Sequence, residues 1–126
     1  MEQQKKRALI LFAHGARAAG WAAPFERLRG LVAAREPDVD VSLAFLELMT
    51  PRLPERAAEL VAQGVTDLTV VPVFLGQGGH VLRDLPLMID QVRADHPQLT
   101  VRVAEAAGEN AAVLQAIADY CSGSVP

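Results

Sequence analysis

The sequence predicts an α/β domain, a four-stranded parallel sheet with helices on both faces. Three observations predict it. Short apolar runs rich in β-branched residues alternate with longer amphipathic segments, in the order βαβαβαβα, and that order implies parallel strands joined by right-handed crossovers. The first run, Ala8 to Ala13, is apolar at every position, as expected of a strand covered on both faces rather than one. The chain has 126 residues, 51% of them hydrophobic and 21% charged, enough to bury one core without staples. The expected unit is a single domain over residues 1–126, with its core at about residues 7–121.

After the first strand, Pro24 to Arg35 reads as a helix, with Phe25, Leu28, Leu31 and Val32 at helical spacing. Val39 to Leu46 is the second strand. Thr50 is the expected N-cap of the next helix, with Pro51 at its first position. That helix runs to Gln63 and stops at Gly64. Leu68 to Leu75 is the third strand; Pro72 inside it cannot donate to a ladder and calls for a bulge or an edge. Gly76-Gln77-Gly78-Gly79 is a flexible loop. Pro86 to Asp95 is the third helix, Leu99 to Val103 the fourth strand, and Asn110 to Tyr120 the last helix. Four strands make a small sheet for this class, so pairing of two copies as a homodimer is expected.

Composition excludes several functions. Twelve Lys and Arg against fifteen Asp and Glu leave a net charge of −3, which argues against a nucleic-acid partner. One cysteine, Cys121, excludes an internal disulfide framework and a CxxC metal site, and fits a reducing cytoplasm. No apolar run approaches the roughly 20 residues of a membrane span. Lys5-Lys6-Arg7 followed by Ala8 to Ala13 has the order of a signal peptide, but the apolar stretch is shorter than such a segment needs. The expected location is cytoplasmic.

Ligands of open parallel sheets sit outside the carboxyl ends of the strands. His14 follows strand 1, Glu47 strand 2, His80 strand 3 across the glycine loop, and Glu105 strand 4. Two imidazoles and two carboxylates are thus expected on one edge. His96, between a helix and the next strand, belongs to the opposite edge and is expected to be a turn residue. Imidazole suits Co, Ni, Fe and Zn and accepts protons near neutral pH, and two histidines with a carboxylate leave coordination positions open. Arg17 and Arg83 are candidate anchors for a carboxylate or phosphate, or plain surface residues. Asp84 either orients His80 or favours a helix N-terminus. The glycine loop matches neither phosphate-binding pattern, but it gives a flat, bulky ligand room to approach the backbone.

At these positions the chain resembles a known family. His14-Gly15-Ala16-Arg17 is similar to the HGSR motif of the class II tetrapyrrole chelatases. Val71-Pro72-Val73-Phe74-Leu75-Gly76-Gln77-Gly78-Gly79-His80 resembles their VPxFLxxGxH motif, and Arg83-Asp84-Leu85-Pro86 the RDIP after it. Phe45-Leu46-Glu47 with Pro51 and Pro54 resembles their second-strand segment. The likeness covers about residues 8–105 and is nearest to the short, single-domain sirohydrochlorin cobaltochelatase form. It implies a chelatase fold of two similar lobes, here built by two short chains.

The resemblance implies that His14 is the proton acceptor and a metal ligand, and His80 the second metal ligand. It implies that Leu75, Gly76, Gln77, Gly78 and Gly79 line a tetrapyrrole pocket, with Arg17 and Thr50 as further substrate contacts. Thr50 stands where the family often has a carboxylate, Ala16 where it has serine, and Gln77 where many members have histidine or a small residue. The implied reaction inserts a divalent ion, Co2+ before Fe2+ or Ni2+, into sirohydrochlorin with release of two protons, without an organic cofactor. His14, helped by Glu47 or Glu105, would accept the protons. Readings of other classes are a non-catalytic carrier or sensor of metal or tetrapyrrole, and a histidine phosphatase. The last is disfavoured by Ala13 where such enzymes carry arginine.

Overall fold

The computed structural model describes residues 6–126; Lys5, the first residue of the signal-like stretch, lies outside them, and Ala8 to Ala13 belong to a strand. The strands are β1 (Arg7–Ala13), β2 (Val39–Phe45), β3 (Asp67–Pro72) and β4 (Thr100–Val103), all parallel, in the order β2-β1-β3-β4. The helices are α1 (Ala23–Arg35), α2 (Leu53–Ala62), α3 (Gly79–Asp95) and α4 (Ala111–Gly123), with a 3-10 turn at Ala107–Glu109.

Alternation along the strands builds two apolar layers. Ile10, Phe12, Ala44, Leu68, Val70 and Val101 face α2 and α3, whose Leu53, Leu60, Val81, Ile89 and Val92 complete the larger core. Leu11, Ala13, Leu43 and Phe45 face the other way, against Trp21 and Phe25 of the α1 region. The expected cover on both faces is therefore present, but unequal. Helix α4 buries none of its side chains and packs chiefly on the 3-10 turn before it.

Three expected boundaries are corrected. Thr50 is not the N-cap of α2. The Phe45 N–H donates to the Pro51 carbonyl (3.0 Å), so residues 48–51 fold back beside β2 and helix formation waits until Leu53. Arg52 is the N-cap, its N–H held by the Glu55 carboxylate (3.4 Å), and Pro54 occupies the first turn, where a missing N–H costs nothing. The third strand ends at Pro72. Val70 accepts from Ala104 N–H and Val73 donates to Phe12, each at 2.9 Å. Backbone groups alternate sides, so position 72 faces β4 just past the last pair, Val70↔Val103, where no donor is needed.

The third correction concerns α3, which starts at Gly79 and runs through Pro86. An interior proline costs roughly 3 kcal/mol. Val81 and Leu85, at 2% and 9% exposure, recover about 1.5–3 kcal/mol each by burial, so packing of the extra turns offsets the proline. One consequence matters for the site: His80 lies in the first turn of a helix, not in a loop.

Candidate active site

The strand order contains one switch point. β1 leads through α1 to one side and β3 leads through α3 to the other, so their connections leave on opposite faces and open a crevice between adjacent carboxyl ends. His14 directly follows β1. His80 heads α3 on the β3 side. The two imidazoles therefore flank the crevice.

Glu47 is brought to them by the backbone. The β1–β2 ladder continues past both strand ends, with Leu46 N–H to Ala13 C=O at 3.0 Å and Glu47 N–H to His14 C=O at 3.1 Å. Gly15 permits that approach. Its φ is +97°, which L side chains avoid, and a Cβ there would collide with the Glu47 carbonyl oxygen. The chain then turns away through Leu48, whose φ of +68° is the one positive value at a non-glycine among the described residues. Such a conformation is characteristically held by the structure around it at functional loops.

Around this frame, His14 Nε2 lies 3.0 Å from Glu47 Oε1 and His80 Nδ1 lies 3.7 Å from the same oxygen. The His14 contact has hydrogen-bond geometry; the His80 contact is an ion-pair distance. With Nε2–H donated to Glu47, His14 presents Nδ1 as its open nitrogen. All three side chains are partly exposed, at 44%, 39% and 56% for His14, Glu47 and His80, so an incoming ligand reaches them from solvent. They form a row around one carboxylate oxygen rather than a closed cage. Among the described residues, no three His, Cys, Asp or Glu side chains are arranged to enclose a metal as they stand.

The other expected site residues divide. Leu75, Gly76, Gln77 and Gly78 end the segment between β3 and α3, with Gly78 as N-cap and Gly79 as the first residue of α3; Leu75 is 58% exposed. They lead directly to His80. Arg17 is exposed three residues past His14 and has no ion-pair partner among the described residues. Thr50 lines a separate groove of about 620 Å³ with Phe45, Pro51 and Arg56; none of His14, Glu47 and His80 lines it. Arg56 there is committed to Ser42 Oγ (2.9 Å) and Asp40 (3.2 Å).

Glu105 does not join the histidines. Its carboxylate accepts from Asn110 Nδ2 at 2.8 Å, while Asn110 Oδ1 caps α4 at Val113 N–H. Asp84 sits in the second turn of α3, beside the Arg83 guanidinium at 3.3 Å, and neither orients His80 nor marks the helix start. His96 ends α3 at the opposite edge, its N–H on Val92 C=O, as expected. The residues that sequence reasoning passed over are backbone ones, Leu48 and Gly108. At Gly108 a Cβ would collide with the Leu75 carbonyl oxygen. A glycine soon after a strand end is the only sequence signal for it.

Comparison with known proteins bears on the family and the fold. The CbiX family model matches residues 8–122. The chain belongs to the CbiX family. CbiX relatives include the sirohydrochlorin cobaltochelatase of Methanothermobacter thermautotrophicus, 34% identical over 88 residues (67% of this chain, 58% of that protein), and that of Methanocaldococcus jannaschii, 30% identical over 89 residues (71% and 62%). The chain thus spans less than two thirds of the length of these curated CbiX relatives. Among solved structures, the putative cobalamin biosynthesis CbiX protein of Marinobacter aquaeolei superposes with a TM-score of 0.81 at 35% identity, covering 93% of this chain and 95% of that one. SirB from Bacillus subtilis with Fe3+ gives 0.78 at 26%, covering 96% of this chain and 48% of SirB. The four-stranded parallel, chelatase-like α/β fold expected from the sequence is borne out.

Proposed function

We propose that the chain is a sirohydrochlorin chelatase that inserts a divalent ion, Co2+ by preference, into the macrocycle and releases two protons. The carrying observation is the pair of imidazoles from β1 and α3 that share Glu47 at the switch point. Insertion needs an ion held loosely, two pyrrole N–H protons accepted, and a macrocycle held with its nitrogens toward the ion. Two histidines with an open surround suit the first requirement. His14, oriented by Glu47, and Glu47 itself are the proton acceptors of the second; the 2+ charge entering the ring balances the two protons leaving. For the third, Leu75 to Gly79 offer backbone with little side-chain bulk, and unpaired Arg17 offers an anchor for a ring carboxylate. Thr50, on the turn that follows Glu47, remains a proposed substrate contact.

Fe2+ and Ni2+ are the competing ions, since imidazole and carboxylate discriminate weakly among them. No organic cofactor is needed. Two copies are proposed to pair as a homodimer, a reading supported by SirB, which is about twice the length of this chain. The unpaired, exposed Cys121 fits a cytoplasmic setting; no helix among the described residues is long and apolar enough to cross a membrane. The proposed partners include neither nucleic acid nor membrane.

The test is metallation of sirohydrochlorin followed by absorbance with Co2+, Fe2+ and Ni2+, for the wild type and for His14→Ala and His80→Ala. Rates of both variants falling to the spontaneous background support the reading. Undiminished insertion refutes it. Tight sirohydrochlorin binding without faster metallation by the wild type would identify a carrier, the reading that Ala16 in the HGSR-like motif favours.

A further inference from the structure

We infer that Gly108 is a positioning residue for the tetrapyrrole pocket, acting through the backbone of Phe74 and Leu75. The inference rests on the chelatase reading above and concerns residues outside the histidine motifs. Two close backbone approaches frame the crevice. On the β1–β2 side, Gly15 lies against Glu47, as described. On the β3–β4 side, the Gly108 N–H donates to the Phe74 carbonyl at 3.0 Å. A Cβ at Gly108 would collide with the Leu75 carbonyl oxygen and lie 2.5 Å and 2.6 Å from Leu75 C and Cα. These are backbone atoms, which cannot swing aside as a side chain does.

The segment bearing Gly108 is itself fixed at both ends. Ala106 is 4% exposed. Asn110 ties Glu105 by its amide nitrogen and α4 by its amide oxygen. Residues 105–110 therefore form a brace between β4 and α4, and Leu75, where the pocket-lining segment begins, leans on it. Leu75 starts the six residues that end at His80. A displaced brace shifts the surface offered to the macrocycle, while His14 and Glu47, held by the β1–β2 extension, keep their places. The commitment of Glu105 to Asn110 acquires a purpose in this arrangement: it shapes the pocket wall instead of accepting protons.

The experiment is steady-state metallation with Gly108→Ala, alongside Co2+ binding measured without tetrapyrrole. KM for sirohydrochlorin should rise about tenfold with kcat changed less than about twofold, and Co2+ affinity should match the wild type. Gly30→Ala, a glycine with open space around it, should leave all three values unchanged. Should Gly108→Ala not fold, Asn110→Ala releases the brace from its other end and should raise KM in the same sense. A wild-type KM in a folded Gly108→Ala protein overturns the inference, as does a fall in kcat at constant KM. Failure of the wild type to bind sirohydrochlorin would instead remove the chelatase reading itself.

Discussion

Replacing Gly15 by alanine tests how the site is assembled. Two costs follow from the structure. The φ of +97° places an L residue where its Cβ is strained, at roughly 1–2 kcal/mol. The added carbon also meets the Glu47 carbonyl, so the two strand ends must separate. That loses the Glu47 N–H to His14 C=O bond, worth about 0.5–1.5 kcal/mol net. The sum is about 1.5–3.5 kcal/mol. For a chain of this size each kcal/mol moves the midpoint by about 3–5 °C, so a fall of about 5–17 °C is expected.

The assay is thermal unfolding followed by circular dichroism. Gly30→Ala, within α1 and with no atom near its added carbon, supplies the contrast: it should stabilise by up to about 1 kcal/mol, since alanine is the better helix former. A Gly15→Ala protein that melts within about 2 °C of the wild type would refute the claim that the glycine holds His14 and Glu47 in register. The stability loss should be matched by slower metallation at temperatures where the variant is folded, because the imidazole and carboxylate no longer share a frame.

Glu47→Ala should separate stability from activity. The His14–Glu47 pair is two-fifths exposed on both sides, so its loss should cost under about 1 kcal/mol in denaturant titration, while metallation slows by about 10²-fold; a wild-type rate would remove Glu47 from the mechanism. Leu60→Ala, at a fully buried position between α2 and the sheet, should cost about 2–5 kcal/mol, and a loss below 1 kcal/mol in urea unfolding would contradict that packing. Pro86→Ala restores a donor to the interior of α3 and should raise stability by about 2–2.5 kcal/mol, the helix gain less the entropy returned to the unfolded chain. A lowered midpoint would show that the proline is accommodated without cost.

Much of the scaffold was legible because its signals are periodic and local. Ala8 to Ala13 reads as a doubly covered strand, and β1 differs from it by one residue. The histidines were legible because the carboxyl ends of parallel strands point one way. What misled was proline read in isolation. Pro51 and Pro86 each look like a first helical residue, yet one lies in a fold-back beside β2 and the other inside α3. Their true settings depend on the Phe45–Pro51 bond and on burial of Val81, which are tertiary facts. Glu47 and Glu105 illustrate the same limit. Both stand two residues past a strand, and nothing nearby in sequence says that one faces an imidazole while the other is held by Asn110.

The shared oxygen of Glu47 gives the site its most consequential physical property. A cation approaching His14 and His80 meets a carboxylate already hydrogen-bonded to one imidazole and 3.7 Å from the other. Any ion that takes Glu47 Oε1 or His14 Nε2 as a ligand must displace that hydrogen bond, and the gain from coordination is reduced by its loss. A resident metal would call for the opposite design, with carboxylates or carbonyls behind each histidine to orient it toward a waiting ion. Here a single carboxylate oxygen serves both rings, on His14 Nε2 and 3.7 Å from His80 Nδ1, instead of a separate group behind each. Such an arrangement would suit the proposed transfer into a macrocycle, which calls for an ion held weakly and a proton acceptor freed as the ion departs.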